Sequence, residues 1–190
     1  ENGALYAELN YGNDERRLRF WRSLGFRPNG RDEWGEPLLI LPPTQSRPVT
    51  AELLSGLPDW QLLKLVNGYL AELGREPLSE EKAEQLKHAV LTKKITFFLA
   101  KRGSRAVGMC SVVSAFSTFS CQEAAILKDF YIEPVFRKIG IAPLLVRTAR
   151  QWCQEQGFSS LSVCCVPCEE AMYQSLGFQT RLGSIWSCLL

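Results

Sequence analysis

The segment from Leu127 to Leu145 constrains the fold more than any other part of the chain. It reads as a strand that ends at Pro134, a short basic loop with one glycine, Gly140, and a helix with Pro143 in its first turn. Such a helix start presents unpaired backbone N–H groups and a positive dipole end, so we expect it to hold a phosphate. An ordinary strand-to-helix turn with solvated charges is the alternative reading, because a loop with a single glycine is a weak signal.

Composition limits the size and the class of the protein. The chain has 190 residues, 46% of them apolar, and a net charge of +2, which fits one soluble globular domain, or one domain plus a fragment. Near neutrality argues against a nucleic-acid partner, whose binding domain would normally be strongly basic. The sequence has neither an apolar run of membrane-spanning length nor a signal peptide, so we expect no membrane contact and a cytoplasmic location.

The histidine and the cysteines bear on the kind of chemistry. The one histidine, His88, lies among charged residues and reads as a surface residue, which argues against histidine-dependent hydrolysis. Most of the seven cysteines lie in apolar runs and are interpreted as buried free thiols. A metal site formed by Cys164, Cys165 and Cys168 is an alternative, but no further ligand completes it, and we expect no metal.

Hydrophobic periodicity predicts an α+β chain with one mixed sheet. After a proline-rich breaker, the predicted order is strand, two helices, three strands, a long helix, strand, helix and strand. Asp59 and Ser79 are predicted N-caps of the first two helices. The predicted strands cover residues 49–53, 95–100, 106–114, 124–132, 161–166 and 185–190, and the long helix covers 141–156.

The two ends of the chain resemble each other. Phe20–Phe26 and Met172–Phe178 share an identical Ser-Leu-Gly-Phe, and both follow a strand-like run and precede another. This order predicts a partial internal duplication. We therefore divide the chain into a partial repeat over residues 1–43, a linker over 44–48 and a complete domain over 49–190. Because residue 1 is a glutamate, the fragment could equally be what remains of a truncated second domain.

Two motifs resemble the GCN5-related N-acetyltransferase (GNAT) family. Arg137-Lys138-Ile139-Gly140-Ile141-Ala142 resembles the family signature Arg/Gln-x-x-Gly-x-Gly/Ala, and the segment 171–178 resembles its Ala-x-x-Tyr-x-x-x-Gly-Phe helix. The resemblance implies the GNAT fold, a central mixed, mostly antiparallel twisted sheet flanked by helices. The fragment 1–43 would then repeat the closing β-α-β-β part of that fold.

The resemblance also implies acetyl-CoA as co-substrate. The pyrophosphate would lie on the backbone of the signature loop, and the pantetheine would pair with the main chain of the preceding strand, which splays from its neighbour. The residues implied to bind the cofactor are Tyr131, Ile132, Arg137, Lys138, Ile139, Gly140, Ile141 and Ala142.

Catalysis in this family is implied to be direct attack of an amine on the thioester. Tyr173 matches the tyrosine that protonates the departing thiolate, although a packing role is the alternative. Asp129 and Glu123 are candidate bases or water-orienting groups, and Asp129 could equally be structural. Lys128 stands where polyamine-acetylating relatives carry a glutamate, which argues against a polyamine. The loop from Ala115 to Gln122 is a candidate lining of the acceptor pocket.

These observations predict an N-acetyltransferase that transfers an acetyl group to a primary amine of a small molecule. The alternative is a non-catalytic CoA-binding or scaffold protein with a degenerate tandem arrangement, and a longer acyl group is also open. The fragment has Trp21 in the place of Tyr173 and is expected to be non-catalytic. It should pack on the complete domain or on a partner chain, so that a homodimer is one alternative.

Overall fold

The computed structural model describes residues 7–41, 48–118 and 120–183. The strands are β1 (Ala7–Asn10), β2 (Arg27–Arg31), β3 (Pro37–Leu41), β4 (Val49–Leu53), β5 (Thr96–Arg102), β6 (Arg105–Ser117), β7 (Gln122–Ile132) and β8 (Leu161–Val163). The helices are α1 (Glu15–Ser23), α2 (Trp60–Glu72), α3 (Glu80–Leu91), α4 (Ile141–Glu155) and α5 (Glu170–Ser175), with short 3-10 turns at Pro134–Phe136 and Pro167–Glu169.

The main domain, residues 48–183, is built on a five-stranded sheet in the order β4-β5-β6-β7-β8. The first four strands are antiparallel neighbours, and β8 pairs parallel to β7. The helices lie on both faces, because one apolar cluster joins the sheet to α4 and another joins it to α2 and α3. The predicted mixed, mostly antiparallel sheet flanked by helices is therefore confirmed.

The helix starts follow the sequence signals. The Asp59 carboxylate accepts the Leu62 N–H at 3.0 Å, and the Ser79 hydroxyl accepts the Lys82 N–H at 3.3 Å, as expected for N-caps. Each bond satisfies one of the amide groups that a helix start leaves without an intrahelical partner.

Two of the predicted strands, 161–166 and 185–190, are not confirmed over their full length. The strand predicted over 161–166 ends at Val163, because only Leu161 to Val163 are in register with β7. The predicted strand 185–190 lies outside the described residues, as does most of the proline-rich linker.

The N-terminal unit, residues 7–41, is a three-stranded antiparallel sheet in the order β1-β3-β2. On one side Leu39 packs against Leu18 of α1 and Phe26. Ile40, the next residue along β3, is fully buried in the same apolar cluster as the core of the main domain. Because neighbouring strand residues face opposite sides, the sheet lies between α1 and the main domain. The unit thus packs on the domain that follows it, one of the two arrangements expected.

The two Ser-Leu-Gly-Phe turns have the same local conformation. In each turn the phenylalanine N–H donates to a carbonyl five residues back, from Phe26 to Trp21 and from Phe178 to Tyr173, at 3.1 Å in both. The two glycines have φ of +92° and +97°. Edge-to-face ring pairs join the same positions, with centroids 5.2 and 5.9 Å apart. This match supports the internal duplication, which stays a prediction.

A buried charge cluster joins the N-terminal unit to the main domain. Arg105 donates to both carboxylate oxygens of Glu8, at 2.6 and 3.0 Å, and its Nη2 donates to both oxygens of Glu133, at 2.8 and 2.9 Å. Lys64 lies 3.1 Å from Glu8, and the Asn29 side-chain amide donates to both glutamates. Two positive and two negative groups therefore balance at the contact.

The charge cluster lowers the pKa of Glu8. Burial alone would raise it, but the hydrogen bond from Arg105 and the charges of Lys64 and Arg105 outweigh burial and hold the pKa below the ordinary value of 4.5. A carboxyl whose pKa is lower in the folded chain adds stability above its unfolded-state pKa. That contribution is lost as the pH falls through the folded-state pKa.

We predict that Glu8→Gln lowers the free energy of unfolding by about 2 kcal/mol at pH 7, the size expected for charged hydrogen bonds. The difference from the parent should begin to shrink as the pH falls below the ordinary value of 4.5 and should be lost once the pH lies below the lowered pKa of folded Glu8. Urea unfolding between pH 7 and pH 3 measures it. The control is Glu52→Gln, which removes the half-exposed ion pair with Lys101 and should change stability by less than about 0.5 kcal/mol. A difference that does not vary with pH would contradict the assignment.

Candidate active site

The central feature of the site is a gap between two parallel strands. β7 and β8 pair only from Ala125 to Leu127, opposite Leu161 to Val163. β8 then ends, whereas β7 continues for five residues to Ile132. Within the described chain, the edge of β7 after Leu127 therefore has no strand beside it on that side. The backbone groups of these five residues that point away from β6 are on the side where a ligand could lie along the strand.

A β-bulge distorts β7 at the start of the gap. The register passes from Ser111 opposite Lys128 to Met109 opposite Tyr131, so two residues of β7 lie opposite one of β6. Asp129 is one of the two and has φ of +41°. Its Oδ2 accepts the hydroxyl of fully buried Ser111 at 2.7 Å. Asp129 thus shapes the strand, and its other carboxylate oxygen is not used by this bond.

The main chain of Ile132 faces the open edge. The N–H of the next residue, Glu133, donates to the Val107 carbonyl of β6 at 3.0 Å. Because backbone groups alternate along a strand, the N–H and carbonyl of Ile132 point away from β6. The carbonyl accepts the Arg137 Nε at 2.8 Å. The Ile132 N–H is thus directed towards the gap.

The loop after β7 leads directly into the start of α4. Lys138 and Gly140 both have positive φ, +64° and +87°, and Gly140 is the N-cap residue with no side-chain cap. A Cβ built on Gly140 would have no heavy atom within 4 Å. The first amides of α4 therefore lack a side-chain cap and lie next to open space at Gly140, at the positive end of the helix dipole, an arrangement suited to phosphate.

The side chain of Arg137 turns away from this helix start. Its guanidinium pairs with Glu72 of α2 and lies over the Tyr131 ring, 5.7 Å from the centroid. Together with the bond to the Ile132 carbonyl, these contacts hold Arg137 against the end of β7. The charge closer to the helix start is that of exposed Lys138 in the loop itself.

Tyr173 lies on α5 and is 7% exposed. Its ring makes edge-to-face contacts with Phe130 of β7, at 6.3 Å, and with Phe178, at 5.9 Å. Burial, followed by the negative charge of Glu169, raises the pKa of Tyr173 well above its usual value. The phenol therefore keeps its proton at neutral pH.

Tyr69 of α2 belongs to the same neighbourhood, and the sequence analysis missed it. Burial raises its pKa, and the negative charges of Asp129 and Glu169 raise it further. Its position in the periodic apolar pattern of α2 made it read as a core residue. A tyrosine carries a polar group on an apolar ring, which was the one available signal.

Two expected site elements lie elsewhere. Glu123 is six residues before Asp129 on β7, about 20 Å away at the usual rise of a strand. The loop between β6 and β7 is at the same distant end, so neither can line the acceptor side of the gap. The sequence alone did not show at which end of this strand the acceptor side of the site would lie.

The six cysteines among the described residues are free thiols, but they are less buried than expected, and Cys188 lies outside the described residues. Cys110 and Cys153 are buried, while Cys121, Cys164 and Cys168 are exposed and Cys165 is half-buried. The expectation of buried thiols is wrong for these exposed residues. β8 ends before Cys164, so the apolar run that contains it is not a core strand.

Within residues 7–41, 48–118 and 120–183, no helix is both long and apolar enough to cross a lipid bilayer. In the same ranges, no three cysteine, histidine or acidic side chains are grouped as metal ligands.

An open strand edge beside an uncapped helix start is an arrangement that can accommodate an extended ligand that carries phosphate. The profile of the acetyltransferase (GNAT) family matches residues 61–178. The chain belongs to the GNAT acetyltransferase family. No curated protein sequence matches it.

Solved structures show the same fold. A probable acetyltransferase is 22% identical, with a TM-score of 0.65 over 76% of this chain and 98% of that one. An aminoglycoside acetyltransferase from an uncultured soil metagenomic sample, in complex with sisomicin, is 17% identical, with a TM-score of 0.64 over 75% and 97%. Glucosamine-6-phosphate N-acetyltransferase from Arabidopsis thaliana is 12% identical, with a TM-score of 0.59 over 75% and 99%. At these identities the similarity concerns the fold.

Helix α2 approaches β7 very closely at Gly68. A Cβ on Gly68 would lie 2.6 Å from the hydroxyl of Tyr131 and 2.7 and 2.9 Å from two of its ring carbons. Tyr131 is 6% exposed and has little room to move. Glycine is therefore required here by close packing rather than by an unusual backbone angle.

We predict that Gly68→Ala destabilises the protein by about 1–2 kcal/mol, because the added methyl group overpacks the contact with Tyr131. In an unobstructed helix the same change would stabilise by up to about 1 kcal/mol. Thermal and urea unfolding measure the sign. A raised unfolding midpoint would contradict the close contact.

Proposed function

We propose that the protein transfers the acetyl group of acetyl-CoA to a primary amine of a small molecule by direct attack. The observation that carries this proposal is the gap between β7 and β8, which has the start of α4 at one end and Tyr173 beside it. An extended thioester along β7 would then reach both a phosphate site and a proton donor.

Acetyl-CoA binding is assigned mainly to main-chain groups. We assign the pyrophosphate to the backbone from Ile139 to Ala142, where the helix start is uncapped. The pantetheine is assigned to the open edge at Ile132, whereas the N–H and carbonyl of Tyr131, one residue earlier, point to β6 by the same alternation. Lys138 contributes its charge, whereas Arg137 contributes its backbone, since its guanidinium is held by Glu72.

The proposed chemistry needs three groups of this chain. The neutral amine attacks the thioester carbonyl, and the Ile132 N–H stabilises the oxyanion that develops. As the C–S bond breaks, Tyr173 gives its proton to the departing thiolate. Asp129 is assigned to the acceptor amine, whose proton it would take with the oxygen that Ser111 does not use.

The small-molecule acceptor is the finer part of the proposal. Two proteins of the same fold are named for such substrates, the aminoglycoside acetyltransferase in complex with sisomicin and glucosamine-6-phosphate N-acetyltransferase. In this chain the negative charges of Asp129 and Glu169 both raise the pKa of Tyr69. Negative charge of this kind favours an acceptor that carries positive charge before it is deprotonated.

We also propose the division of the chain into a partial, non-catalytic repeat over 1–43, a linker over 44–48 and a complete domain over 49–190. The matched turns support it, with Trp21 in the position of Tyr173. An indole has no hydroxyl to protonate a thiolate, so this unit lacks the proposed acid.

We predict that Tyr173→Phe lowers kcat by roughly 100-fold, within the range for loss of a general acid, with little change in the KM for acetyl-CoA. The assay follows CoA thiol release with a panel of amines. Tyr11→Phe is the matched control, because Tyr11 is a partly buried tyrosine of the N-terminal unit, away from the gap. An unchanged kcat would remove the acid role of Tyr173.

The CoA-release assay, combined with calorimetry, separates the proposed transferase from a scaffold protein. If calorimetry shows acetyl-CoA binding but the assay shows no transfer to any amine, the protein is a non-catalytic CoA-binding protein. If acetyl-CoA does not bind, the proposed function is wrong.

We predict no fall in kcat from tyrosine ionisation up to pH 10. The pKa of Tyr173 is raised above its ordinary value of 10, because burial and Glu169 disfavour the phenolate, so the acid stays protonated throughout this range. Rate profiles from pH 6 to pH 10 with saturating substrates measure it. A basic limb that is present in the parent and absent in Tyr173→Phe would contradict this prediction.

A further inference from the structure

The charge cluster that joins the N-terminal unit to the main domain lies next to the proposed acetyl-CoA strand. We propose that Glu133 is a positioning residue for this strand, and that the N-terminal unit holds Glu133 in place through Glu8 and Asn29. The inference rests on the proposed function for its consequence, since the strand in question is the one assigned to acetyl-CoA.

The carboxylate of Glu133 contacts three other side chains. Its side chain is 4% exposed, and both of its oxygens accept hydrogen bonds from Arg105. Asn29 of the N-terminal unit donates to Glu133 Oε2 at 3.0 Å, and Lys64 of α2 lies 3.7 Å from Oε1. The side chain therefore cannot rotate without breaking several charged contacts in a buried place.

The position of Glu133 sets the orientation of the peptide group before it. The Ile132 carbonyl and the Glu133 N–H belong to one planar peptide unit. The N–H is bonded to Val107 and the carbonyl to Arg137, which starts the phosphate loop. A shift of Glu133 would therefore turn the backbone of Ile132 at the open edge and disturb the loop that follows.

One face of helix α2 contacts the end of β7 and the loop that follows it. Three of its residues, each four positions apart and so on one side of the helix, contact the end of β7 and the loop: Lys64, Gly68 and Glu72. They meet the side chains of Glu133, Tyr131 and Arg137 respectively. Lys64 also pairs with Glu8, so the N-terminal unit, the helix and the strand share one set of charges.

The charge balance explains why Glu8 matters to Glu133. With Glu8 present, Arg105 and Lys64 are matched by two carboxylates. Without that charge, Arg105 and Lys64 lose one of the two carboxylates that they share in this cluster. Arg105 and Lys64 would then rearrange around Glu133, and the strand end would lose its fixed position.

The test compares Glu8→Gln with the matched control Glu52→Gln. We expect Glu8→Gln to raise the Kd and the KM for acetyl-CoA by roughly 3- to 10-fold, the range of coupling through packed networks, with kcat at saturation within about twofold of the parent. Glu52→Gln should change none of these values. Glu8→Asp keeps the charge and should bring the Kd back towards that of the parent.

A second measurement does not depend on acetyl-CoA. Hydrogen exchange of the Glu133 amide, which is bonded to Val107, should accelerate in Glu8→Gln by more than exchange of the β5 amides, which report the general loss of stability, and stay unchanged in Glu52→Gln. Such a local acceleration in a protein that binds no acetyl-CoA would support the positioning role and overturn the proposed function. If the Glu133 and β5 amides accelerate equally and the Kd stays at the parental value, the N-terminal unit merely stabilises the fold and the inference is wrong.

Discussion

The early end of the pairing between β7 and β8 is the constraint on which the rest of the site depends. Three paired positions keep the two strands in one sheet, and the five residues that follow leave a strand edge open in the middle of a packed domain. An open edge normally invites association with another chain. Here helix α2, the bulge at Asp129 and the aromatic contacts of Tyr173 enclose it, so that an extended ligand of the right shape can take the place of the missing strand.

The sequence predicted the parts of the site that local chemistry determines. Gly140 with its positive φ, the N-caps Asp59 and Ser79, and the order of the elements all follow from signals within a few residues. The parts that it missed depend on residues far apart in the chain. The guanidinium of Arg137 is directed by Glu72, which is 65 residues away, and nothing near the signature loop encodes that contact.

The N-terminal unit shows the same contrast. Its Ser-Leu-Gly-Phe turn was recognised because a repeat is visible in the sequence itself. Its packing on the main domain was one of the two arrangements expected, but the residues that make the charged contact were not predicted. Glu8 meets Arg105 across 97 positions, and isolated charged residues in a sequence read as solvated. The apolar contact of Ile40 and the charged contact of Glu8 together make the unit part of the domain that it precedes.

The engagement of Arg137 with Glu72 has a consequence for which anions the protein can hold. A free guanidinium attracts any polyanion from a distance, whereas the dipoles of backbone amides act only within about the first turn of a helix. If the phosphate is held mainly by amides, as proposed, the site selects by close fit rather than by total charge. Nucleic acids and other highly charged polymers would then compete poorly for it, even though they carry far more phosphate than a single cofactor.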